Sequence, residues 1–534
     1  MSIRRTTVCI LLTWLPAALA LGPAVARGAE NLVANGGFEQ GLQGWSRFWS
    51  RSAEGLAALD PAVRHDGRQS VRVEHPGAQD WSLSQEKRLD VRPGEIYELA
   101  AWVRLEGDGE ATASVTLYGA ESKVLDWSFG GRSTRAAPDW RLLRSRFIVP
   151  DGATAILPRL IGHGPATVWC DDFTLSRVGT LDALRSKDLA PAVNLANPAV
   201  EVTFHTGEGS LSVLDRRTGR QWRQRPGVGL VVLGAKREEM AAGRERGLSL
   251  RMLEIEAALR LDAVRPEVVV ELKGSGELNA PLAFPPPFAS RKEDLLILPV
   301  NEGISYPAAD ETLKPMSYHL YGGHGLCMGW WGATDGGPGW MAIVETPDDA
   351  AVRIPRIDGL LCLAPEWQAQ KGQFGPARRI RYVFFDQGGY VAMCKRYRQH
   401  AQHVGLLKTL AEKRAENPNV DLLVGAVNVW CFGKDGPSTC REMQSLGIRR
   451  ILWSSRQKPE QIRQLNEMGV LTSRYDIYQD LMDPANLPKL RGLHSDWTQE
   501  GWPKDIILGP DGRWIRGWGV KGKDDQWYSC GVLC

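Results

Sequence analysis

The sequence predicts a multidomain, mostly β chain: a β-sandwich jelly roll, then a larger β-sandwich, then the incomplete N-terminal part of a (β/α)8 barrel. Three observations predict it. The chain has 534 residues, enough for about three domains at roughly 100–200 residues each. From residue 31 onward, short apolar runs recur with Gly, Pro and Asp between them, and Tyr97, Leu99, Ala101 and Val103 alternate with Glu98, Ala100, Trp102 and Arg104. That period of two is the mark of half-buried strands. After Gly388 the pattern changes to strands alternating with helices of about ten residues, as in parallel βαβ units.

Taken in order, residues 1–26 read as a signal peptide. Arg4 and Arg5 precede an apolar stretch over 8–21, and Ala24-Val25-Ala26 offers the small residues of a cleavage site, with Ala29 as a second. The apolar stretch is too short to cross about 30 Å of hydrocarbon and is interrupted by Pro16. The expectation is a mature chain starting at Arg27 or Glu30, secreted or periplasmic, with no membrane span. Residues 31–178 read as the jelly roll, with strands at 70–73, 97–105, 113–118, 142–149 and 167–175. A linker is expected over 179–198. The second sandwich occupies 199–386, with strands at 210–214, 221–224, 295–300, 340–345 and 380–385.

Two connecting helices, 390–403 and 406–415, fill 387–417. Residues 418–534 then alternate: strand 422–429, helix 438–446, strand 451–453, helix 459–468, strand 470–475. The stretch from Pro418 to Cys534 is less than half of the about 250 residues that a closed barrel takes. A partial barrel, and so an incomplete chain, is the expectation.

Composition narrows the function classes. A chain 43% hydrophobic and 24% charged is globular. Its net charge of +3 gives no basic field for nucleic acid or an anionic membrane. Trp is in excess, 20 against 12 Phe and 11 Tyr. This fits flat rings offered to a ligand, and equally the cores of β-sandwiches. The cysteines after Cys9 are scattered and form no CxxC pair, which argues against structural zinc. The spacing of Cys431 and Cys440 permits a bridge, but buried thiols are the general expectation. No HExxH, GxSxG, Walker loop or GxGxxG is present.

The motifs point further. Asn31-Leu-Val-Ala-Asn-Gly-Gly-Phe-Glu39 with Gly44-Trp45, Asp66-Gly67 before 70–73, the run 97–104, and Thr167-Val-Trp-Cys-Asp-Asp-Phe-Thr-Leu175 occur in that order. Over about 150 residues this resembles the CenC-like carbohydrate-binding modules. The resemblance implies a jelly roll with a sugar site and a polysaccharide or glycan partner. Sugars stack their C–H faces on aromatic rings. Trp81 and Trp127 sit in polar contexts, and Trp102 lies on the face opposite Tyr97 and Leu99, so these three are the candidate platforms. Core or rim packing is the competing reading for each. The resemblance also implies a structural calcium ion near the joined termini, with Glu39 and Asp172 at the acidic positions and backbone carbonyls completing an oxygen set. The alternative there is a capped turn without metal.

Residues 389–398, 405–413 and Asn417-Pro418 resemble the sandwich–barrel join of glycoside hydrolases related to endo-α-N-acetylgalactosaminidases. Residues 339–348 resemble their mutarotase-like sandwich. The implied activity is glycoside hydrolysis by two carboxylates, without a catalytic cofactor. Such carboxylates sit at the C-terminal ends of later barrel strands, so the catalytic residues are expected beyond the end of this chain. At the strand ends present, Asp476 is a candidate for sugar hydroxyls, Tyr478 and Trp430 for stacking. The competing readings are a helix N-cap or salt bridge for Asp476 and rim packing for Trp430. A non-catalytic carbohydrate-binding surface protein is the alternative function. A sugar lyase or epimerase is a third, disfavoured by the strand–helix alternation after Asn417.

Overall fold

The computed structural model describes residues 30–533 except 136, 227–230, 240–244, 253–254, 275–277, 279–280, 321–324, 432, 474–480, 492–500 and 511. The signal-peptide assignment therefore lies outside the described residues. The chain divides into two compact units, Met1–Leu184 and Arg185–Cys534. Most of the described residues in regular structure are strands, and the helices are few.

The first unit is a sandwich of eleven strands: β1 (Trp49–Ser50), β2 (Leu56–Asp60), β3 (Ser70–His75), β4 (Asp80–Ser84), β5 (Leu89–Asp90), β6 (Glu95–Gly107), β7 (Glu110–Gly119), β8 (Val124–Thr134), β9 (Ala137–Ile148), β10 (Ala153–His163) and β11 (Ala166–Thr180). One sheet runs β1-β4-β10-β7-β8, with β5 also on β10, and the other runs β2-β3-β11-β6-β9. Every pairing is antiparallel. The two inner faces bury Val71, Val73, Leu83, Leu99, Val103, Val115 and Leu160 in one cluster. The expected runs fall on β3, β6, β7, β9 and β11.

The opening motif closes this sandwich. Leu32 N–H donates to the Leu175 carbonyl at 2.8 Å, and the Asn31 side-chain oxygen accepts from Leu175 N–H at 3.0 Å. Phe173 N–H donates to Gly36 O at 2.9 Å, and a Cβ on Gly36 would stand 1.9 Å from the Phe173 carbonyl oxygen. Only glycine allows that approach. Phe38 stacks on Trp45 at 5.0 Å, and the Trp45 indole N–H donates to the Asn35 carbonyl. These motif residues are thus framework.

In the second unit, Ala192–Ala196, Val200–His205, Ser210–Asp215 and Gln221–Arg223 form a four-stranded antiparallel sheet. The linker expectation is corrected here: 192–196 is a strand, because Val193 and Leu195 alternate inward. That short run is hidden between Pro191 and Pro198. A nine-stranded sheet follows, with Glu267–Gly274, Arg378–Phe385 and Gly339–Val344 adjacent at its centre. Trp331, Trp340, Phe288, Trp367 and Tyr382 fill the space between the sheets. On the other face of the large sheet, Glu267 is buried and paired to Arg381 at 3.1 Å and Arg396 at 2.7 Å. Arg396 belongs to the helix Gly389–His403, which packs Met393 on Trp330, Met341 and Ile343.

The next helix is shorter than predicted. It spans Leu410–Glu416, because Thr409 caps it in a reciprocal box with Glu412. Beyond it, Val427–Val429, Ile451–Trp453 and Leu471–Thr472 pair in parallel, with helices Gly436–Ser445 and Pro459–Glu467 between them. The expected strand 422–429 is corrected to 427–429. Val420–Leu423 is a helical turn instead, and Gly425, at φ 76, separates it from the strand. Leu422, Leu423 and Val424 are exposed rather than buried. An antiparallel hairpin, Arg516–Lys521 with Trp527–Gly531, was not anticipated. Cys431 and Cys440 are free thiols in the same small core as Ile451 and Trp453, so the permitted bridge is not made. Among the described residues no helix is long and apolar enough to cross a membrane.

Candidate functional site

The outer face of the β1-β4-β10-β7-β8 sheet forms a cleft of about 800 Å³. Register places one continuous cross-strand row along it. Trp49 is opposite Ser82, Ser82 opposite Ile161, Ile161 opposite Thr112, and Thr112 opposite Ser133. At strand spacings of 4.7–4.9 Å the row is about 19 Å long, room for an oligosaccharide. Thr112 and Ser133 share a hydroxyl hydrogen bond of 2.7 Å. A neighbouring row sets Arg159 between Ser84 and Ser114, and a third sets His163 between Asp80 and Glu110. The lining therefore carries the hydroxyls of Ser82, Thr112, Ser128 and Ser133.

Two tryptophans stand out of this cleft. Trp127, on β8, is 65% exposed and Trp49, on β1, 48%. Exposing two such large apolar rings is costly in water unless a ligand covers them. The charges around them are mostly paired. Arg51 grips Asp80 at 2.5 and 2.9 Å, and its side-chain hydrogen bond holds the Asp80 carboxyl below its ordinary range. Glu110 pairs with Arg135.

Of the three predicted platforms, the structure leaves one in the cleft as an open ring. Trp127 is that one. Trp81 borders the cleft, but its ring is 1% exposed in the sandwich core, where its Cζ2 lies 2.4 Å from a Cβ built on Gly162. Its strand position turns the ring inward, so it offers no stacking face. Trp102 is on the other sheet and carries His65 stacked on it at 4.0 Å. The three do not converge. Trp49 was missed, although the alternation Phe48-in, Trp49-out within a polar run was a usable signal. Arg159 was missed because Pro158 beside it masks a strand.

The acidic pair lies at the opposite sheet's end. Glu39 accepts from Arg68 and Gln69 backbone N–H, at 2.7 and 3.4 Å, and from Arg68 Nε at 2.9 Å; these bonds keep its pKa below the ordinary carboxylate value. Asp172 Oδ2 meets His65 Nδ1 at 2.7 Å. Asp171 accepts from the backbone of His65 and Asp66, and burial pushes its carboxyl up. A Cβ on Gly37 would stand 3.7 Å from Asp172 Oδ1 and 3.9 Å from Asp171 Oδ1. This glycine cradle is bordered by carboxylate oxygens, and its donor chemistry suits a hard cation. Among the described residues no group of three or more His, Cys, Asp and Glu side chains is arranged to hold a metal.

In the second unit, Trp430 follows the first parallel strand and is 52% exposed. At the ends of the three strands Ser454 Oγ donates to Asn428 Oδ1 at 2.6 Å and is 2.8 Å from Ser473 Oγ. Asp476 and Tyr478 lie outside the described residues.

Comparison with known proteins adds the following. Residues 30–164 match the sequence profile of a family described as a carbohydrate binding domain. No curated protein matches the chain. Among solved structures, the α-N-acetylgalactosaminidase NagBb from Bifidobacterium bifidum, in complex with GalNAc, is 18% identical over 64% of this chain and 65% of its own, with a TM-score of 0.49. The chain thus spans less than two thirds of that enzyme's length. Two carbohydrate-binding modules each align with 28% of this chain. TmCBM61 in complex with β-1,4-galactotriose is 21% identical over 99% of its length, TM-score 0.21. A family 16 carbohydrate binding module is 18% identical over 100% of its length, TM-score 0.22. Residues 30–164, the part of the chain that builds the cleft of Trp49 and Trp127, are a carbohydrate binding domain.

Proposed function

We propose that this is an exported, glycan-directed protein that binds a polysaccharide in the cleft of its first unit and belongs to a glycoside hydrolase. The observation that carries the reading is the cleft itself: a hydroxyl-bearing row about 19 Å long from Trp49 to Ser133, in a cleft that Trp127 also lines with an exposed ring. Ring faces meet the sugar's C–H faces, and serine and threonine hydroxyls exchange hydrogen bonds with its hydroxyls. The hydrolase half rests on the sequence resemblance of 389–418. The parallel strands at 427–472, with a helix in each connection, support reading 418–534 as the start of a (β/α)8 barrel. In such a barrel the hydrogen-bonded row Asn428–Ser454–Ser473 and Trp430 would lie toward the C-terminal strand ends, where substrate binds. Hydrolysis would require two carboxylates of different protonation state, and neither role is assigned to a residue here.

The test uses native protein from the culture medium or periplasm. It is expected to start at Arg27 or Glu30 and to release reducing ends from a glycan that it binds. Recovery of Met1 would refute export, and binding without cleavage of any bound glycan would refute the hydrolase half.

Calcium is part of the same proposal. Glu39 and Asp172, with nearby backbone carbonyls, would hold it near Gly37, where it would tie the opening segment of the sandwich to its last strand. Excess calcium is expected to raise the melting temperature of the first unit and EDTA to reverse the change. A melting temperature indifferent to both, or one that still responds in Glu39→Gln/Asp172→Asn, would eliminate the ion.

A further inference from the structure

We infer that the cleft selects an acidic glycan, one bearing carboxylate or sulfate groups, and that Arg159 is the residue that reads the charge. The inference rests on the cleft being a glycan site. Arg159 lies on the central strand β10, between Ser84 and Ser114 in register. Its Nη1 donates to Thr116 Oγ1 at 3.0 Å, and its Nε has no hydrogen-bond partner. It makes no ion pair among the described residues, whereas Arg51 pairs with Asp80, and Glu110 with Arg135. The cleft therefore keeps one cation that no protein carboxylate neutralises directly. Burial lowers the pKa of this guanidinium, and the fields of Tyr118 and Asp80 only partly oppose that. A guanidinium stays protonated all the same. Its lost hydration is best restored by an anion that takes two of its N–H groups in one plane. Sugar hydroxyls would restore less of it.

The position also says where the acid sits. The Arg159 guanidinium carbon is 5.9 Å from the centre of the Trp127 ring. Arg159 lies over that ring, so a C6 carboxylate or ester sulfate on a sugar packed beside Trp127 would come within reach of the guanidinium. The acidic residue is the one bound next to Trp127.

Affinity electrophoresis or calorimetry of the full chain would compare polygalacturonate with its carboxyl-reduced form, and carrageenan with its desulfated form. At low salt the acidic member of at least one pair is expected to bind about tenfold tighter than its neutral partner, with the advantage shrinking as salt screens it. The pair that shows it separates carboxylate from sulfate. Arg159→Gln is expected to abolish the advantage, so that the acidic and neutral partners bind alike. Arg159→Lys, which keeps the charge without the planar fork, is expected to retain part of it, and it decides the matter if the Gln variant does not fold. Equal binding of acidic and neutral forms, or an advantage that survives Arg159→Gln, overturns the inference but leaves the glycan cleft standing. No binding to any of the four overturns the inference.

Discussion

Asp349→Ala is expected to lower the stability of the second unit by about 3–5 kcal/mol, the usual cost of leaving a buried charge without its partner. Arg378 is 1% exposed, and its Nη2 lies 2.8 Å from Asp349 Oδ2. The same guanidinium donates to the Gln368 carbonyl at 2.9 Å and stands 4.4 Å from the centre of the Phe374 ring. Asp349 is buried as well and also accepts from Gln370 at 2.8 Å. Removing the acid strands the cation against Phe374 with no water to receive it. The double change Asp349→Leu/Arg378→Met removes both charges and is expected to recover most of the loss. Urea unfolding of the two variants, followed at the transition of this unit, checks the pair. A single variant that costs less than about 1 kcal/mol would mean that the pair is hydrated in solution.

The second large effect separates the tryptophans by role. Trp49→Ala/Trp127→Ala is expected to weaken glycan binding about 100-fold, roughly tenfold for each ring removed from a stacking face. Stability should change by less than about 0.5 kcal/mol, since both rings project from the sheet. Trp81→Ala should do the reverse. Its ring fills the sandwich beneath β10, so its loss opens a large cavity and costs about 3–5 kcal/mol. Thermal melting and affinity electrophoresis on one glycan give the two readouts for the three positions. Binding that survives the double variant would move the sugar site off this cleft. A stable Trp81→Ala protein would contradict the packing.

The legible part of this protein was local. Alternation over 97–104 marked strands, the switch after Gly388 marked the strand–helix units, and the ordered motifs from Asn31 to Leu175 marked the carbohydrate module. These signals lie within a few residues of one another and need no knowledge of partners. What faces water was not legible in the same way. Trp81 and Trp127 both sit among polar neighbours, and a period of two states only that a side chain points to one side or the other of its strand. Whether that side is the core or a cleft depends on which sheet the strand joins. Trp81 joins β10, Trp102 joins β9 and β11, and Trp127 joins β7.

Sequence alone therefore determined the β-rich, multidomain character, the strand–helix switch after Gly388 and the carbohydrate-directed reading. Tertiary structure alone decided the site. The row from Trp49 to Ser133 is assembled from segments up to 112 positions apart in the chain. Arg159 acquires its meaning only because the carboxylates around it are engaged elsewhere, Asp80 by Arg51 and Glu110 by Arg135. Such facts are sums over non-local contacts, and an electrostatic or hydration property of a cleft exists only once the strands that wall it have paired.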